Sequence, residues 1–391
     1  MWHFHQSALV VGLLAVLCYV GSLNGDFVFD DSEAVVNNDD VQLTTPVWKL
    51  FSHDFWGTRI TNNASHKSYR PLTVISFRWN VWLSDGKLEP FSFHLFNVIL
   101  HCINSVLLLS VYKLLLGVES PKLSLVAASL FALHPVHTES VAGIVGRADL
   151  LSTFFAFISI LVYQYAVRKE NTSVSSLSYC ALSCVFVGIA MLCKEQGITI
   201  IVSKRLHFFF CEMQIIMWKD LTRISLTASD VSILCFGCVT LLYLRWIVMG
   251  SAPPVFQKVD NPASFLNNTL EKVVNYNYLY SLNMWILLCP EWLCFDWSMG
   301  CIPPISTDEI CIFSFFKFYG QIQDFIIALL GIVIALALLI IPFLPASNLV
   351  FRVGFVIAER VLYLPSAGFC LLVALGVRRL SVFPHSKNVS H

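Results

Sequence analysis

Charge is scarce in this sequence: Asp, Glu, Lys and Arg make up 13% of its 391 residues, about half the share found in soluble domains. That shortage excludes an ordinary soluble enzyme, and the 57% hydrophobic content excludes a disordered chain. Neither sign is in excess, with 25 Lys and Arg against 25 Asp and Glu, so no overall field draws the chain to nucleic acid. There is no Gly-rich phosphate loop, no nucleophile elbow and no kinase motif set, which removes those enzyme classes. The polar stretch from Asn24 to Pro90 lacks cysteine altogether, so the chain is not a disulfide-built extracellular scaffold. Most of the 13 cysteines instead lie in apolar runs. Cys235 and Cys238 spell C-x-x-C inside such a run, where a thiolate is poorly solvated. Cys294 and Cys301 are the one pair in a more polar, Trp-containing stretch.

What is present is apolar length. Mean hydropathy is +0.70, and runs near the membrane-spanning length of about 20 residues fall at 7–23, 92–112, 123–133, 148–167, 177–193, 198–217, 229–249, 274–290, 325–344 and 361–377. The expected fold is an all-α polytopic membrane protein: a first span at 1–23, a long loop at 24–91, a multi-span bundle at 92–379 and a tail at 380–391. The first run has no basic n-region, so it reads as an uncleaved anchor. The run at 123–133 is too short to cross alone and breaks at His134-Pro135. The run at 274–290 could cross or lie along the interface.

Basic residues set the orientation. With the amino terminus in the cytosol, the clusters Lys113/Lys122, Arg168/Lys169, Lys219/Arg223 and Arg378/Arg379 are all cytosolic. The loops at 24–90, 134–147, 194–197, 250–273 and 345–360 then face the lumen. Sequons at Asn63 and Asn267 fall on that side and are glycosylation candidates, whereas those at Asn171 and Asn388 fall in the cytosol. Lys204 and Arg205 interrupt the run at 198–217, at a cost of several kcal/mol in lipid unless buried or snorkelling.

The chemistry sits at the lumenal edge. Asp30 and Asp31 follow the first span, and neighbouring carboxylates repel, which can raise one pKa into the range of a general base; a helix cap or solvated turn is the plain alternative. The aromatic segments 46–56 and 72–83 suit helices lying on the membrane surface or a lid packed on the bundle. His134, His137 and Glu139 lie close enough to share a metal, but no further ligand completes a set, so none is assigned. Arg147 and Asp149 open the next span, where charge is costly and therefore paired or functional. Lys194-Glu195 and Glu359-Arg360 stand at the same boundary, where a cation could hold a lipid phosphate or lock helices through salt bridges.

The strings FVFDDSEAVVNN, SHKSYRPL, LHPVHTESVAGIVGRADLLS, MLCKEQGIT, NMWILLCPEWLCFDWSMGCIPPI and AERVLYLPSAGF resemble the transmembrane and tetratricopeptide-repeat O-mannosyltransferases, the TMTC family. The resemblance implies a GT-C type glycosyltransferase bundle in the endoplasmic reticulum membrane. It implies dolichyl phosphate mannose as donor and Ser or Thr of cadherin-type domains as acceptor, with no cofactor assigned. It places the acidic pair on Asp30 and Asp31 as catalytic residues. It puts the donor phosphate near Arg360, Lys194 and Arg147, with His137, Glu139 and Glu195 in support. Two departures stand out: residues 201–223 do not follow the family's continuation, and no periodicity of about 34 residues marks tetratricopeptide repeats. A catalytically incompetent membrane scaffold is therefore the competing expectation. A transporter is disfavoured because the charges sit at the membrane edge and not at its midplane.

Overall fold

The computed structural model describes residues 2–116, 121–166, 173–203, 224–250, 254, 256–294, 296–297, 301–305 and 322–382. The helices are α1 (Trp2–Tyr19), α2 (Pro71–Leu83), α3 (Pro90–Leu116), α4 (Pro121–Leu133), the short α5 (Thr138–Val141), α6 (Arg147–Ala166), α7 (Ser173–Cys193), α8 (Ile224–Val248), α9 (Thr269–Leu288), α10 (Ile322–Phe343) and α11 (Pro365–Val382). Four of them start on proline, whose fixed φ suits a first turn and whose missing N–H is not needed there. Among the described residues there is no strand, only a bridge between His53 and Arg59.

Five segments are long and apolar enough to cross a membrane: Phe4–Asn24, Pro90–Leu116, Arg147–Ala166, Val174–Cys193 and Val231–Val248. Pro121–Leu133 and Gly331–Ala346 are shorter apolar helices. The chain is thus an all-α, multi-pass membrane protein. α4 stops where the sequence breaks it, because Pro135 cannot continue the hydrogen-bond ladder and the chain turns through Pro135–His137. The run at 274–290 does form α9, yet Asn275, Asn277 and Asn283 dilute its apolar character and it is not one of the five. Most of the run at 198–217 lies outside the described residues, as do Arg168, Lys169, Asn171, Lys204, Arg205, Lys219, Arg223 and Asn388.

α3 shows why a membrane bundle reads inside out. Asn97, His101 and Asn104 recur at helical spacing and are completely buried, while Leu95, Ile99 and Ile103 on the other face are exposed. The polar face is used: Asn97 donates to the carbonyl of Gly143 at 3.0 Å, Asn104 donates to that of Leu150 at 2.9 Å, and His101 Nδ1 lies 2.8 Å from the Tyr363 hydroxyl on the approach to α11. Where lipid replaces water, such bonds add a specificity that apolar packing alone does not supply.

The long polar loop has a core of its own. Ala34, Val35, Val41, Leu50 and Phe55 pack with Val74, Phe77 and Val81 of α2, and with Phe93, Ile144 and Val145 from the bundle. Arg78 laces this unit by donating to the carbonyls of Asp40, Gln42 and Thr45. The opposite face of α2 leaves Trp79, Trp82 and Leu83 exposed, and Trp48 is exposed on the turn Val47–Ser52.

Candidate active site

The turn at 28–31 separates the two neighbouring aspartates. Phe29 takes a left-handed φ of +46°, a conformation costing about 1–2 kcal/mol for a residue with a Cβ. Asp31 closes the turn: its N–H donates to the Val28 carbonyl at 2.9 Å, and its carboxylate accepts from Val28 N–H at 3.2 Å and Val145 N–H at 2.9 Å. It is buried, and burial pushes its carboxyl up, opposed by these N–H groups. Gly146 makes the docking possible, since a Cβ there would meet the Ser140 backbone at 2.3 Å. Asp31 therefore ties the first loop to the 143–147 segment with both oxygens occupied. Asp30 points the other way, its Oδ2 accepting from Arg360 at 2.7 Å, and it stays 26% exposed.

From Asp30 a line of ion pairs runs across one end of the bundle. Arg360 also lies 3.4 Å from Glu139, whose other oxygen accepts the Arg360 backbone N–H at 2.7 Å. Burial pushes Arg360 down, but Glu139 and Asp30 outweigh it and raise its pKa; burial pushes Glu139 up against the pull of Arg360. Next, Lys194 donates to both oxygens of Asp149 at 2.6 Å, and both residues are buried. Beyond them Glu195 accepts from Arg70 at 3.0 Å and from Arg245 at 2.6 Å. Burial pushes Glu195 up, yet the two guanidiniums prevail and hold it at about 2. Of the five loops expected on a common side of the membrane, four supply residues to this line, 24–90, 134–147, 194–197 and 345–360, and 250–273 does not.

Several site expectations change in three dimensions. Arg147 is completely buried. Its guanidinium donates to Asn97, Asn80 and the carbonyls of Ser76 and Phe93, and lies within 4.6–5.2 Å of the ring centroids of Phe77, Phe93 and Phe96. It is a structural rivet between α2, α3 and α6, and is withdrawn as a phosphate ligand. Lys194 is likewise committed to Asp149. His134 donates to the Leu287 carbonyl, His137 lies 2.7 Å from Ser366 Oγ, and Glu139 serves Arg360, so the three side chains do not converge on one point. Burial lowers His134 to about 4 and pushes His137 well below the ordinary imidazole value. Cys294 and Cys301 are free thiols.

Arg70, Arg245 and the contacts of Glu359 were not anticipated as site features. Arg245 had a usable signal, a lone cation in the last turn of an apolar helix. Glu359 is buried and accepts the N–H of Cys294 at 2.6 Å and the indole N–H of Trp297 at 3.1 Å, which fastens Cys294 and Trp297 beside Arg360. Burial raises its carboxyl to about 7, despite these two donors. An acid raised in the folded state contributes stability that is complete below its ordinary value of 4.5 and is lost as pH rises through about 7. The parent chain should therefore lose on the order of 3 kcal/mol across that window from this group. Glu359→Gln keeps an oxygen acceptor without the ionisation, so thermal melts at stepped pH should flatten in that range.

These features define a class: a multi-pass helical membrane protein with a partly exposed carboxylate and an ion-pair line at one end of its bundle. Residues 250–321 match the family model described as protein O-mannosyl-transferase TMTC, DUF1736. The chain is 46% identical to human protein O-mannosyl-transferase TMTC4, over 97% of this chain and 56% of that protein. It is 41% identical to human TMTC3, over 98% of this chain and 44% of that protein, and 35% identical to human TMTC2, over 96% and 53%. No solved structure matches it. The chain belongs to the TMTC family, and it spans about half the length of the curated relatives it matches.

Proposed function

We propose that the chain transfers mannose from dolichyl phosphate mannose to Ser or Thr hydroxyls of cadherin-type domains at the lumenal face of the endoplasmic reticulum membrane. The observation carrying this reading is the orientation of Asp30, a partly exposed carboxylate just beyond the first span with one oxygen held by Arg360 and, among the described residues, no hydrogen bond to the other. Family membership supports the mannosyl transfer, since the relatives are named protein O-mannosyl-transferases.

The reaction is a single displacement. The acceptor oxygen attacks the mannosyl C1 and its proton passes to Asp30, while the C1–O bond to phosphate breaks and leaves its electron pair on the phosphate oxygen. Arg360 fixes the rotamer of the base, and Glu139 fixes Arg360 through both backbone and side chain. Preorganised charges of this kind cost little reorganisation at the moment of reaction. Exposed Trp79 and Trp82 on α2 fit a helix resting at the lipid–water boundary, where donor and acceptor must meet.

The test is transfer of labelled mannose by the membrane-reconstituted chain to a purified cadherin domain, with dolichyl phosphate mannose supplied. Labelled acceptor is expected. Partner binding without label would favour the scaffold reading. The orientation has its own check: Asn63 and Asn267 are both exposed, and in cells each should carry an endoglycosidase-sensitive glycan. Asn63→Gln and Asn267→Gln should each remove one step of the gel shift. A chain modified at neither site would put the acidic turn on the wrong side for this chemistry.

A further inference from the structure

The ion-pair line is electrically graded. At one end Asp30 and Glu139 surround Arg360, two acids to one base. In the middle Lys194 and Asp149 cancel. At the other end Arg70 and Arg245 share the single carboxylate of Glu195, two bases to one acid. Another anion is repelled at the first end and attracted at the last.

We infer that Arg70 and Arg245 form the binding site for a phosphate ester carrying a long isoprenoid tail. The inference deepens the transfer reading above and rests on it. The geometry suits the ligand. Arg70 uses Nε and Nη2 on Glu195 and, among the described residues, leaves Nη1 without a hydrogen bond, while its Cζ lies 5.1 Å from the Phe55 ring centroid. Arg245 is positioned by donating to the Tyr69 carbonyl at 3.1 Å. Two guanidinium forks around one carboxylate are an arrangement that phosphate oxygens also accept. Glu195 acts as the resident counter-ion that keeps the pair together when no ligand is bound.

The tail has a path. Arg245 sits in the last turn of α8, and Val239, Leu242, Trp246 and Ile247 leave that helix largely uncovered. A phosphate held at Arg245 therefore lets its hydrocarbon remain in the bilayer. The direction of charge flow also fits. During transfer Asp30 loses one negative charge by taking a proton, and the phosphate gains one as the sugar departs. The gain falls where the cations are in excess. Lys194 stands between the two ends, where the positive charges of both Arg70 and Arg360 act on it.

The test is binding of dolichyl phosphate by the chain in nanodiscs doped with that lipid, with inorganic phosphate in solution as a second arm. Arg70→Gln and Arg245→Gln should each weaken lipid binding about tenfold. Glu195→Gln removes the competing carboxylate and should tighten it severalfold, a change opposite in sign to damage from misfolding. Inorganic phosphate should bind far more weakly than the lipid; equal affinity would overturn the tail's part in the site. Unchanged lipid affinity in both Arg variants, or no gain in Glu195→Gln, overturns the assignment even when mannosyl transfer is present. Failure of the parent chain to transfer mannose is read in a separate assay and falls on the function instead.

Discussion

Asp30→Asn should reduce mannosyl transfer by about 10²–10⁴-fold, the usual loss when a general base is removed, in a chain that still folds and inserts. The amide keeps the size of the carboxylate and an oxygen for Arg360 to engage at the same place, so the turn has no reason to move. Asp31→Asn should behave differently. Both oxygens of Asp31 accept backbone N–H groups in a buried setting, so an amide must turn its NH₂ against one of those donors. Such a mismatch costs about 1–3 kcal/mol, and the loss of activity should follow the loss of fold. Parallel measurement of label transfer and thermal stability separates the two. Transfer by Asp30→Asn at the parent rate, with a stable but inactive Asp31→Asn, would reverse the roles.

That contrast marks what the sequence could and could not convey. Five of the ten apolar runs form helices long and apolar enough to cross, and these were legible because apolar runs are local properties; α3 is legible in the same way once its polar stripe at 97, 101 and 104 is read as the inside. The adjacent aspartates were legible as a pair but not as individuals, because a turn with a left-handed Phe29 decides which carboxylate faces out. Glu195 stood out at the end of a span, yet its partners Arg70 and Arg245 lie 125 and 50 residues away. No spacing rule joins three such positions; only the packing of α2, α7 and α8 does. Arg147 stands out in the sequence as a charge needing a reason, and the reason is structural because the acceptors around it are neutral amides and carbonyls, not a ligand.

Arg147→Met should then cost several kcal/mol, since each buried acceptor left without its donor costs about 1–3 kcal/mol. Met fills much of the volume but leaves the amide oxygens of Asn97 and Asn80 and the carbonyls of Ser76 and Phe93 without their donor. It also forfeits the attraction between the cation and the three phenylalanine rings packed around it. Arg147→Lys should fall between parent and Met: it keeps the charge, but an ammonium has three donors on a compact head and cannot span acceptors from three elements as a planar fork does. Melting temperatures in nanodiscs should therefore rank Arg above Lys above Met. Dolichyl phosphate affinity, measured on the fraction that remains folded, should be the same in all three, because the residue anchors α2 and α3 to the start of α6 and is enclosed by them. A variant that melts like the parent and loses lipid affinity alone would return Arg147 to the donor site, and the rivet would have to be sought elsewhere.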